Sequence, residues 1–318
     1  MLDVIGIDMP CIDLNVNVKK FPKPNGGERI EKMTWQGGGK VASGMVAAAR
    51  LGAKCAMTGA VGNDVNGRFC IKDFQYHGID VSGMRIREGC TTSLSVVLSD
   101  AETGGRSIMS NPGNSPRYAP DEIDADAIRS AKYLFVAYIT DTVKEAIRIA
   151  REAGVTVVID ADGYSEELME CIPLIDVFIA SDFCYKKMYQ SEDHEANCRD
   201  TMAKGPKIVI FTRGEKGCVG VSDQGFFNIP AFKVDVVDTV GAGDVYHGGF
   251  IAGLISGRTV EETARFASAV SAIKCTRIGG RAGIPTTAIV ERFLKDGVIE
   301  GEELDQRVEY YTRGLEHV

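Results

Sequence analysis

The segment 238–244, which reads Asp-Thr-Val-Gly-Ala-Gly-Asp, combines residue types that could bind a phosphate and activate a hydroxyl group. Small residues leave backbone amides uncovered, and the helix predicted to follow through Leu254 adds the positive end of its dipole. The amides expected to form this anion hole belong to Gly241, Ala242 and Gly243. Asp244 at its edge could take the proton from a hydroxyl that attacks a phosphoryl group. Because Asp is also a favoured helix N-cap, a purely structural role for Asp244 is the alternative.

A second glycine-rich segment, Gly37-Gly38-Gly39-Lys40, precedes a helix of small residues that is predicted to end near Gly52. Consecutive glycines let a backbone approach a ligand closely, so this loop could line a site for a polyol. Residues 37–42 also match the G-x-G-x-x-A pattern of dinucleotide-binding folds, which makes a nicotinamide-dependent oxidoreductase an alternative. The match is weak, since the preceding segment alternates polar and apolar residues instead of forming a buried first strand. Tight packing of the helix on a sheet would also explain the glycines.

The composition is that of an ordinary globular chain of 318 residues, with 44% hydrophobic and 25% charged residues. The formal net charge of -8 disfavours nucleic acid and anionic membranes as partners. No apolar run reaches the roughly 20 residues of a membrane helix, and the first residues lack a basic signal segment, so we expect a cytoplasmic protein. The nine cysteines form no C-x-x-C pair and no metal-ligand pattern with histidines, which indicates reduced thiols.

Four segments with alternating polar and apolar residues predict strands that have one buried and one exposed face. They form two pairs, 12–18 with 29–35 and 92–98 with 106–110. Each pair is joined by a stretch that contains turn-forming residues such as Gly, Asn or Asp. We therefore expect a small sheet that covers a larger domain as a lid.

The remaining strands are apolar and alternate with helical patterns, which is typical of parallel βαβ units. Strands are predicted at 4–7, 133–138, 155–160, 177–180 and 207–212. Capping boxes at Thr142–Glu145 and Thr259–Glu262 predict two helix starts. The fold class is therefore α/β, with a Rossmann-like, doubly wound and mostly parallel sheet that is covered by helices on both faces. Ligands bind to such sheets beyond the carboxyl ends of the strands.

With these motifs in this order, the chain resembles the ribokinase-like carbohydrate kinases of the PfkB type over nearly its full length. The resemblance depends on residues 38–43, 60–67, 212–217 and 238–244 and on the spacing between them. It implies one kinase domain spanning 1–318, with a β-sheet lid contributed by about 12–36 and 91–112. In this family the lid closes over the sugar and often forms the contact of a homodimer.

The resemblance also implies a role for each matching residue. Asp244 corresponds to the catalytic base, with Gly241, Ala242 and Gly243 as the anion hole, and the substrate site corresponds to Asp13, Gly38, Gly39, Lys40 and Ser43. The ATP site corresponds to Thr212, Gly214, Gly217, Ser268 and Ser271. Asp238, with carbonyl groups after Gly279, matches the monovalent-cation site that some members use. The implied cofactors are ATP, Mg2+ and a K+ ion at this site, and the implied partner is a small sugar.

Three departures from the family pattern affect these expectations. Ser43 and Cys11 stand where the family has asparagines, so two amides are missing from the sugar site. The N-x-x-E element that organises magnesium reads Ser181-Asp182-Phe183-Cys184. Asp182, Asp160 or water could replace the missing glutamate. A sugar-binding pseudokinase, which binds without phosphate transfer, is therefore a further alternative.

The carboxy-terminal half looks most like the sulfofructose kinase branch, in residues 230–238 and 274–285. Gly27, Ser110 and Tyr138 lack the basic side chain that a sulfonate would need, so the predicted substrate is a neutral ketose or related polyol. Three basic residues are candidates if the substrate carries an anion, although a solvated surface charge is the favoured interpretation of each: Arg106, Arg117 and Lys40. The sequence thus predicts an ATP-dependent sugar kinase.

Overall fold

The computed structural model describes residues 2–317, in which thirteen strands and eleven α-helices follow one another along the chain. The strands are β1 (Leu2–Asp8), β2 (Cys11–Val18), β3 (Ile30–Gly38), β4 (Cys55–Gly62), β5 (Asp80–Arg87), β6 (Leu94–Asp100), β7 (Arg106–Asn111), β8 (Ala131–Val136), β9 (Thr156–Ala161), β10 (Val177–Ser181), β11 (Ile208–Thr212), β12 (Cys218–Ser222) and β13 (Gly225–Ile229). The helices are α1 (Lys40–Arg50), α2 (Val65–Tyr76), α3 (Ala125–Arg129), α4 (Asp141–Glu152), α5 (Glu166–Cys171), α6 (Asp182–Met188), α7 (His194–Met202), α8 (Ala242–Ile255), α9 (Val260–Lys274), α10 (Thr287–Asp296) and α11 (Glu302–Thr312).

Nine strands form one large sheet in the order β13-β12-β11-β10-β9-β8-β1-β4-β5. Neighbours pair in parallel except for β11 with β12 and β12 with β13, which are antiparallel. The strand order reverses at β1, because β4 and β5 lie on one side of it and β8 to β13 on the other. In such sheets a ligand site opens beyond the carboxyl ends of the strands at the reversal, here β1 and β8.

The central strands are apolar throughout because helices cover both faces of the large sheet. In β10, Phe178 belongs to the apolar cluster on one face and Ile179 to the cluster on the other. In β9, Val157 and Val158 divide in the same way, and all four side chains are fully buried. Two cores of this kind fix the positions of the strand ends that carry the site.

A smaller sheet has the order β3-β2-β6-β7, and its two faces differ in polarity. On one face Asp13 lies beside Gln36 and Ser95, and on the other Leu14 lies beside Trp35 and Val96. The polar face contacts the segment around residues 238–282, since Gln36 donates to the carbonyl oxygen of Ile278 at 2.9 Å. We refer to these four strands as the small sheet.

The predicted fold class is confirmed: a large, mostly parallel sheet with helices is accompanied by a small sheet of four strands. The capping box of Thr259 and Glu262 is present at the start of α9. The helix start predicted at Thr142 is wrong, because Thr140 caps α4 by accepting from the amide of Val143. The hydroxyl of Thr142 is buried instead and donates to the carbonyl oxygen of Tyr118 at 2.6 Å. Within residues 2–317, no helix combines the length and apolar composition needed to cross a bilayer.

Candidate active site

Helices α1 and α8 bring the glycine loop, Gly37–Gly39, next to the turn at residues 238–244. Their contact depends on two glycines that leave no room for a side chain. A Cβ atom on Gly248 would lie 2.0 Å from the carbonyl oxygen of Gly44, and one on Gly44 would lie 2.9 Å from the carbonyl oxygen of Asp244. The two motifs that the sequence analysis identified therefore meet in one site, although they are far apart in the chain.

The 238–244 turn presents backbone amides at the start of α8. Gly241 has φ 71° and ψ 6°, a left-handed conformation that suits glycine, and no side chain among residues 2–317 caps the helix. The amide of Ala242 donates to the carbonyl oxygen of Thr239 at 3.2 Å, whereas no partner within the described chain bonds to the amides of Gly241 and Gly243. Two of the three predicted amides are thus available to an anion at the positive end of the helix dipole.

Asp244 lies in the first turn of α8, where Gly241 is the N-cap, so the alternative that Asp244 only caps the helix is wrong. Burial raises the pKa of Asp244 well above its ordinary value. The negative charges of Asp160 and Asp8 raise this pKa further, and the ammonium of Lys40 opposes them. A carboxylate with a raised pKa is a better proton acceptor, as a general base requires.

His247, to which the sequence analysis assigned no role, is buried beside Asp244 on α8. Its Nδ1 atom lies 2.7 Å from the carbonyl oxygen of Gly243. Its Nε2 atom lies 3.6 Å from Asp160 Oδ1 and 3.3 Å from the carbonyl oxygen of Ile179. The ring thus connects the amide turn to the carboxyl ends of β9 and β10.

Lys40 is the cation of this site, at the first position of α1. Its ammonium forms an ion pair with Asp162 and lies 5.3 Å from the ring centroid of Tyr138. Burial alone would lower the pKa of Lys40, but the negative charges of Asp160 and Asp162 outweigh burial and raise it. Lys40 therefore keeps its positive charge among the carboxylates that surround Asp244.

The glycine loop lies directly against Asp13, the predicted sugar ligand. A Cβ atom on Gly38 would lie 2.3 Å from Asp13 Oδ2, so only glycine fits. The thiol of Cys11 donates to Asp13 Oδ1 at 3.3 Å and occupies the position of the missing asparagine. Burial raises the pKa of Asp13, against the hydrogen bonds from Cys11 and Ser95 and the positive charge of Arg281. Asp13 is therefore a half-buried acceptor that could bind substrate hydroxyl groups.

Behind the glycine loop lies a buried charged network that the sequence analysis missed. The guanidinium of Arg281 forms an ion pair with Asp73 and donates to the carbonyl oxygen of Gly38 at 3.0 Å. The hydroxyl of Tyr311, on α11, donates to Asp73 at 2.7 Å. Arg281 and Tyr311 are fully buried and Asp73 nearly so. Because 208 residues separate Arg281 from Asp73, no local pattern could have revealed the pair.

Asp8, at the carboxyl end of β1, is a second residue that the sequence analysis missed. Its carboxylate accepts from the amide of Ala42 at 3.0 Å and from the amide of Met9 at 2.8 Å. A carboxylate thus occupies the N-terminus of α1, where a dinucleotide-binding fold places a pyrophosphate. The preceding strand β3 also belongs to the small sheet. Both observations contradict the nicotinamide alternative that was based on residues 37–42.

Ser43 is buried on α1, and its hydroxyl faces Gly280 at the edge of the 238–244 turn. The structure therefore gathers the whole predicted sugar set around the start of α1: Asp13, Gly38, Gly39, Lys40 and Ser43. Arg106 lies outside this set, where its guanidinium donates to Thr239 Oγ1 at 3.2 Å. Arg117 is exposed.

The predicted ATP residues lie on the other side of the 238–244 turn. Ser271 donates to the carbonyl oxygen of Ala242 at 2.7 Å, which ties α9 to the start of α8. Ser268 lies one turn earlier on α9, with its hydroxyl 3.9 Å from the Sγ atom of Cys218. The remaining predicted ATP residues are Thr212, at the end of β11, and Gly214 and Gly217, in the loop that leads to Cys218. The structure therefore brings these two segments together.

The segment that replaces the magnesium element begins α6. Ser181 caps this helix and donates to the carbonyl oxygen of Asp162 at 2.5 Å. Asp182 pairs with Lys186, whereas Asp160 is buried next to His247. Among residues 2–317, no three or more His, Cys, Asp or Glu side chains are grouped so as to hold a metal ion by themselves. Mg2+ in kinases commonly uses one or two carboxylates together with substrate phosphates, which Asp160 could satisfy.

Asp238, the predicted cation ligand, is buried and has several hydrogen bonds. Its Oδ1 atom accepts from the amide of Val240 and its Oδ2 atom from the amide of Gly279, both at 2.9 Å. Its carbonyl oxygen accepts from the ammonium of Lys274 at 2.9 Å. Asp238 thus joins the 238–244 turn to the segment after α9.

Comparison with known proteins identifies relatives along nearly the whole chain. The pfkB family carbohydrate kinase pattern matches residues 1–287. An ATP-dependent ribose-1-phosphate kinase of Halopiger xanaduensis is 31% identical over 288 residues, which cover 89% of this chain and 95% of that protein. A protein of Arabidopsis thaliana named "Probable fructokinase-3" is 28% identical, covering 81% of this chain and 83% of its own length.

The fold comparison agrees with the sequence comparison. An E. coli protein provisionally described as ribokinase II, in complex with ATP and Mg2+, superposes with a TM-score of 0.82. The superposition covers 93% of this chain and 99% of that one, at 22% identity. At this identity the match concerns the fold alone, which is ribokinase-like.

Proposed function

This chain belongs to the pfkB family of carbohydrate kinases, and we propose that Asp244 is the general base that activates a sugar hydroxyl for attack on the γ-phosphate of ATP. The observation that carries the proposal is the position of Asp244 in the first turn of α8, beside the free amides of Gly241 and Gly243. The amides would bind the transferring phosphoryl group while the carboxylate accepts the proton. The raised pKa of Asp244 supports the same role.

The sugar would lie between the glycine loop and the polar face of the small sheet. Asp13 would accept hydrogen bonds from sugar hydroxyls, and the amides of Gly38 and Gly39 would approach the sugar closely. Lys40 would offset the negative charge that Asp244, Asp160 and the phosphate bring together. This arrangement fixes which hydroxyl points at the phosphate, which is how positioning contributes to phosphoryl transfer.

ATP would bind along Thr212, Gly214 and Gly217, with its base near Ser268 and Ser271. Mg2+ would neutralise charge on the phosphate oxygens. Asp160 fits as its protein ligand better than Asp182, because Asp182 is paired with Lys186 at the surface. The K+ ion at Asp238 stays a prediction, and the ammonium of Lys274 donates to the carbonyl oxygen of the same residue.

A neutral ketose or related polyol is the substrate that the charges favour. Of the cations near the site, Lys40 pairs with Asp162, Arg281 pairs with Asp73, and Arg106 donates to Thr239. Each thus has a partner before any substrate enters. The resemblance to the sulfofructose kinase branch stays a prediction. The names of two relatives point to different substrates, one being an ATP-dependent ribose-1-phosphate kinase and the other named "Probable fructokinase-3".

The small sheet would act as the lid of a single kinase domain spanning 1–318 and would also form a homodimer contact in the cytoplasm. Its face opposite Asp13 carries apolar side chains that the chain leaves partly uncovered, among them Leu14, Val96, Met33 and Met109. Met33 is 41% exposed and Met109 is 59% exposed. A second copy that buries this face would remove apolar surface from water.

An assay of ADP formation tests the proposed function with ketoses, aldoses, polyols, nucleosides and sugar phosphates, each with ATP and Mg2+. We expect turnover with a ketose or polyol, and isothermal titration should show ATP binding in the same preparation. Tight sugar binding without phosphate transfer at any Mg2+ concentration would instead support a pseudokinase. The buried Cys184 in place of a glutamate motivates that second outcome.

A further inference from the structure

Lys274 is a fully buried lysine at the last position of α9. Buried lysines are rare and normally pair with a carboxylate. In the described chain no carboxylate lies within ion-pair distance of its ammonium, which instead donates to the carbonyl oxygen of Asp238 at 2.9 Å. A cation that contacts main-chain oxygen in a buried site resembles a bound monovalent ion more than a salt bridge.

The hydrogen bond from Lys274 reaches the first residue of the 238–244 turn. The amides of Val237 and Asp238 donate to the carbonyl oxygen of Cys275, at 2.8 and 3.1 Å. Gly241 packs against Gly280, because a Cβ atom on Gly241 would lie 3.0 Å from the Cα atom of Gly280. The chain that follows Lys274 therefore holds the turn that carries the proposed anion hole.

A potassium ion does not fit beside this ammonium. The carbonyl oxygens of Asp238 and Cys275 already accept hydrogen bonds, and both carboxylate oxygens of Asp238 accept from backbone amides. An added cation would also be repelled by the ammonium, since a buried site screens charge poorly. The ammonium of Lys274 and the hydrogen-bonded carboxylate of Asp238 thus disagree with a K+ ion bound at Asp238.

We propose that Lys274 is a built-in monovalent cation: its ammonium positions the 238–244 turn and supplies the positive charge behind the anion hole, so that phosphate transfer requires no K+. This inference depends on the proposed function of the turn. Lys274 is a positioning residue, because it acts through Asp238 and touches neither sugar nor phosphate.

The test compares the wild type with Lys274→Ala and Lys274→Met in potassium, ammonium and choline chloride at equal ionic strength. The wild type should show the same turnover and melting temperature in all three salts, within about twofold in turnover. Lys274→Ala opens a space for an ion, so turnover should fall by about tenfold or more in choline and recover partly in ammonium or potassium. Its melting temperature should rise in the same salts, because an ion that binds only the folded state stabilises it.

Lys274→Met keeps most of the side-chain volume of lysine but removes the charge. The turnover of this variant should therefore fall and should not recover in any salt. This variant carries the test if Lys274→Ala does not fold. Lys233→Met is the matched control, because Lys233 is exposed on the neighbouring segment and should show no change. The inference is overturned if K+ raises wild-type turnover tenfold together with its melting temperature, or if both Lys274 variants are fully active in choline.

The two proposals can fail separately. If the kinase proposal is wrong, no salt yields sugar-dependent ATP turnover in the wild type, yet the melting temperatures still report whether K+ binds. If only the inference is wrong, the wild type turns over but depends on K+. Asp244→Asn should lose turnover in every salt, which separates loss of the base from loss of the cation.

Discussion

The 238–244 turn and the glycine loop face each other across the contact of α1 with α8, yet the chain holds them in different ways. Hydrogen bonds around Asp238, together with Lys274, support the turn. The buried ion pair of Arg281 with Asp73 supports the glycine loop from behind. The turn keeps the amides of Gly241 and Gly243 and the carboxylate of Asp244 free for chemistry. The glycine loop is held in place by the buried charges of Arg281 and Asp73.

The two regions should therefore respond to substitution in different ways. Around Asp244 several carboxylates repel one another, so the arrangement that makes this region reactive also lowers the stability of the folded state. Around Arg281 opposite charges attract in a site from which water is excluded, so removing one partner leaves the other uncompensated. Changes to the turn should therefore affect turnover, and changes behind the loop should affect stability.

The largest effect on chemistry should come from Asp244→Asn. Loss of the general base should reduce turnover by about 10² to 10⁴, while the protein stays folded and binds ATP. The measurement is steady-state ADP formation together with ATP titration. Asp223→Asn, in the exposed turn between β12 and β13, is the control and should have normal turnover. Near-normal turnover of Asp244→Asn would remove Asp244 from its role.

Arg281→Met should produce the largest loss of stability. It leaves Asp73 buried without its partner, so the free energy of unfolding should fall by about 3 to 5 kcal/mol. Urea unfolding followed by circular dichroism measures this, with the exposed Arg313→Met as control. If Arg281→Met unfolds like the control, the network does not support the glycine loop.

Gly44→Ala tests the contact that joins the two regions. The new methyl group would lie 2.6 Å from Phe135 Cε1 and 2.9 Å from the carbonyl oxygen of Asp244. Overpacking of this kind costs about 1 to 3 kcal/mol, and the shift of α8 should also reduce turnover. Gly52→Ala meets no neighbouring atom but has φ 100°, so it should lose stability from backbone strain while turnover is retained. Equal turnover in both variants would argue against the importance of the α1 contact.

The smallest effect should be a change in how stability depends on pH. Since the folded state raises the pKa of Asp244, its stabilising contribution is present at low pH and is lost as pH rises through that pKa. Asp244→Asn should therefore melt at a higher temperature than the wild type at neutral pH, and the gap should close as pH falls. Melting curves across pH measure this, and a lower melting temperature of Asp244→Asn at neutral pH would contradict repulsion between Asp244 and the neighbouring carboxylates.

The sequence revealed the 238–244 turn because its glycines, its aspartate and the following helix lie within one short segment. It revealed the small sheet because alternation persists in each of its four strands. The supports of the site escaped prediction for the opposite reason. Arg281, Asp73 and Lys274 are ordinary polar residues in sequence and acquire their roles only when distant segments bury them. Thr142 shows the same effect, since its buried bond to Tyr118 overrides a local capping pattern.

Phosphorus NMR of the wild type with ATP, Mg2+ and a ketose follows the transfer of phosphate from ATP to the sugar. If the protein is a sugar kinase with Asp244 as its base, the γ-phosphate signal declines as a sugar phosphate ester appears in equal amount, only when the sugar is present, and far more slowly in Asp244→Asn. Release of inorganic phosphate without an ester, or no loss of ATP with any sugar of the panel, would contradict the proposed kinase activity.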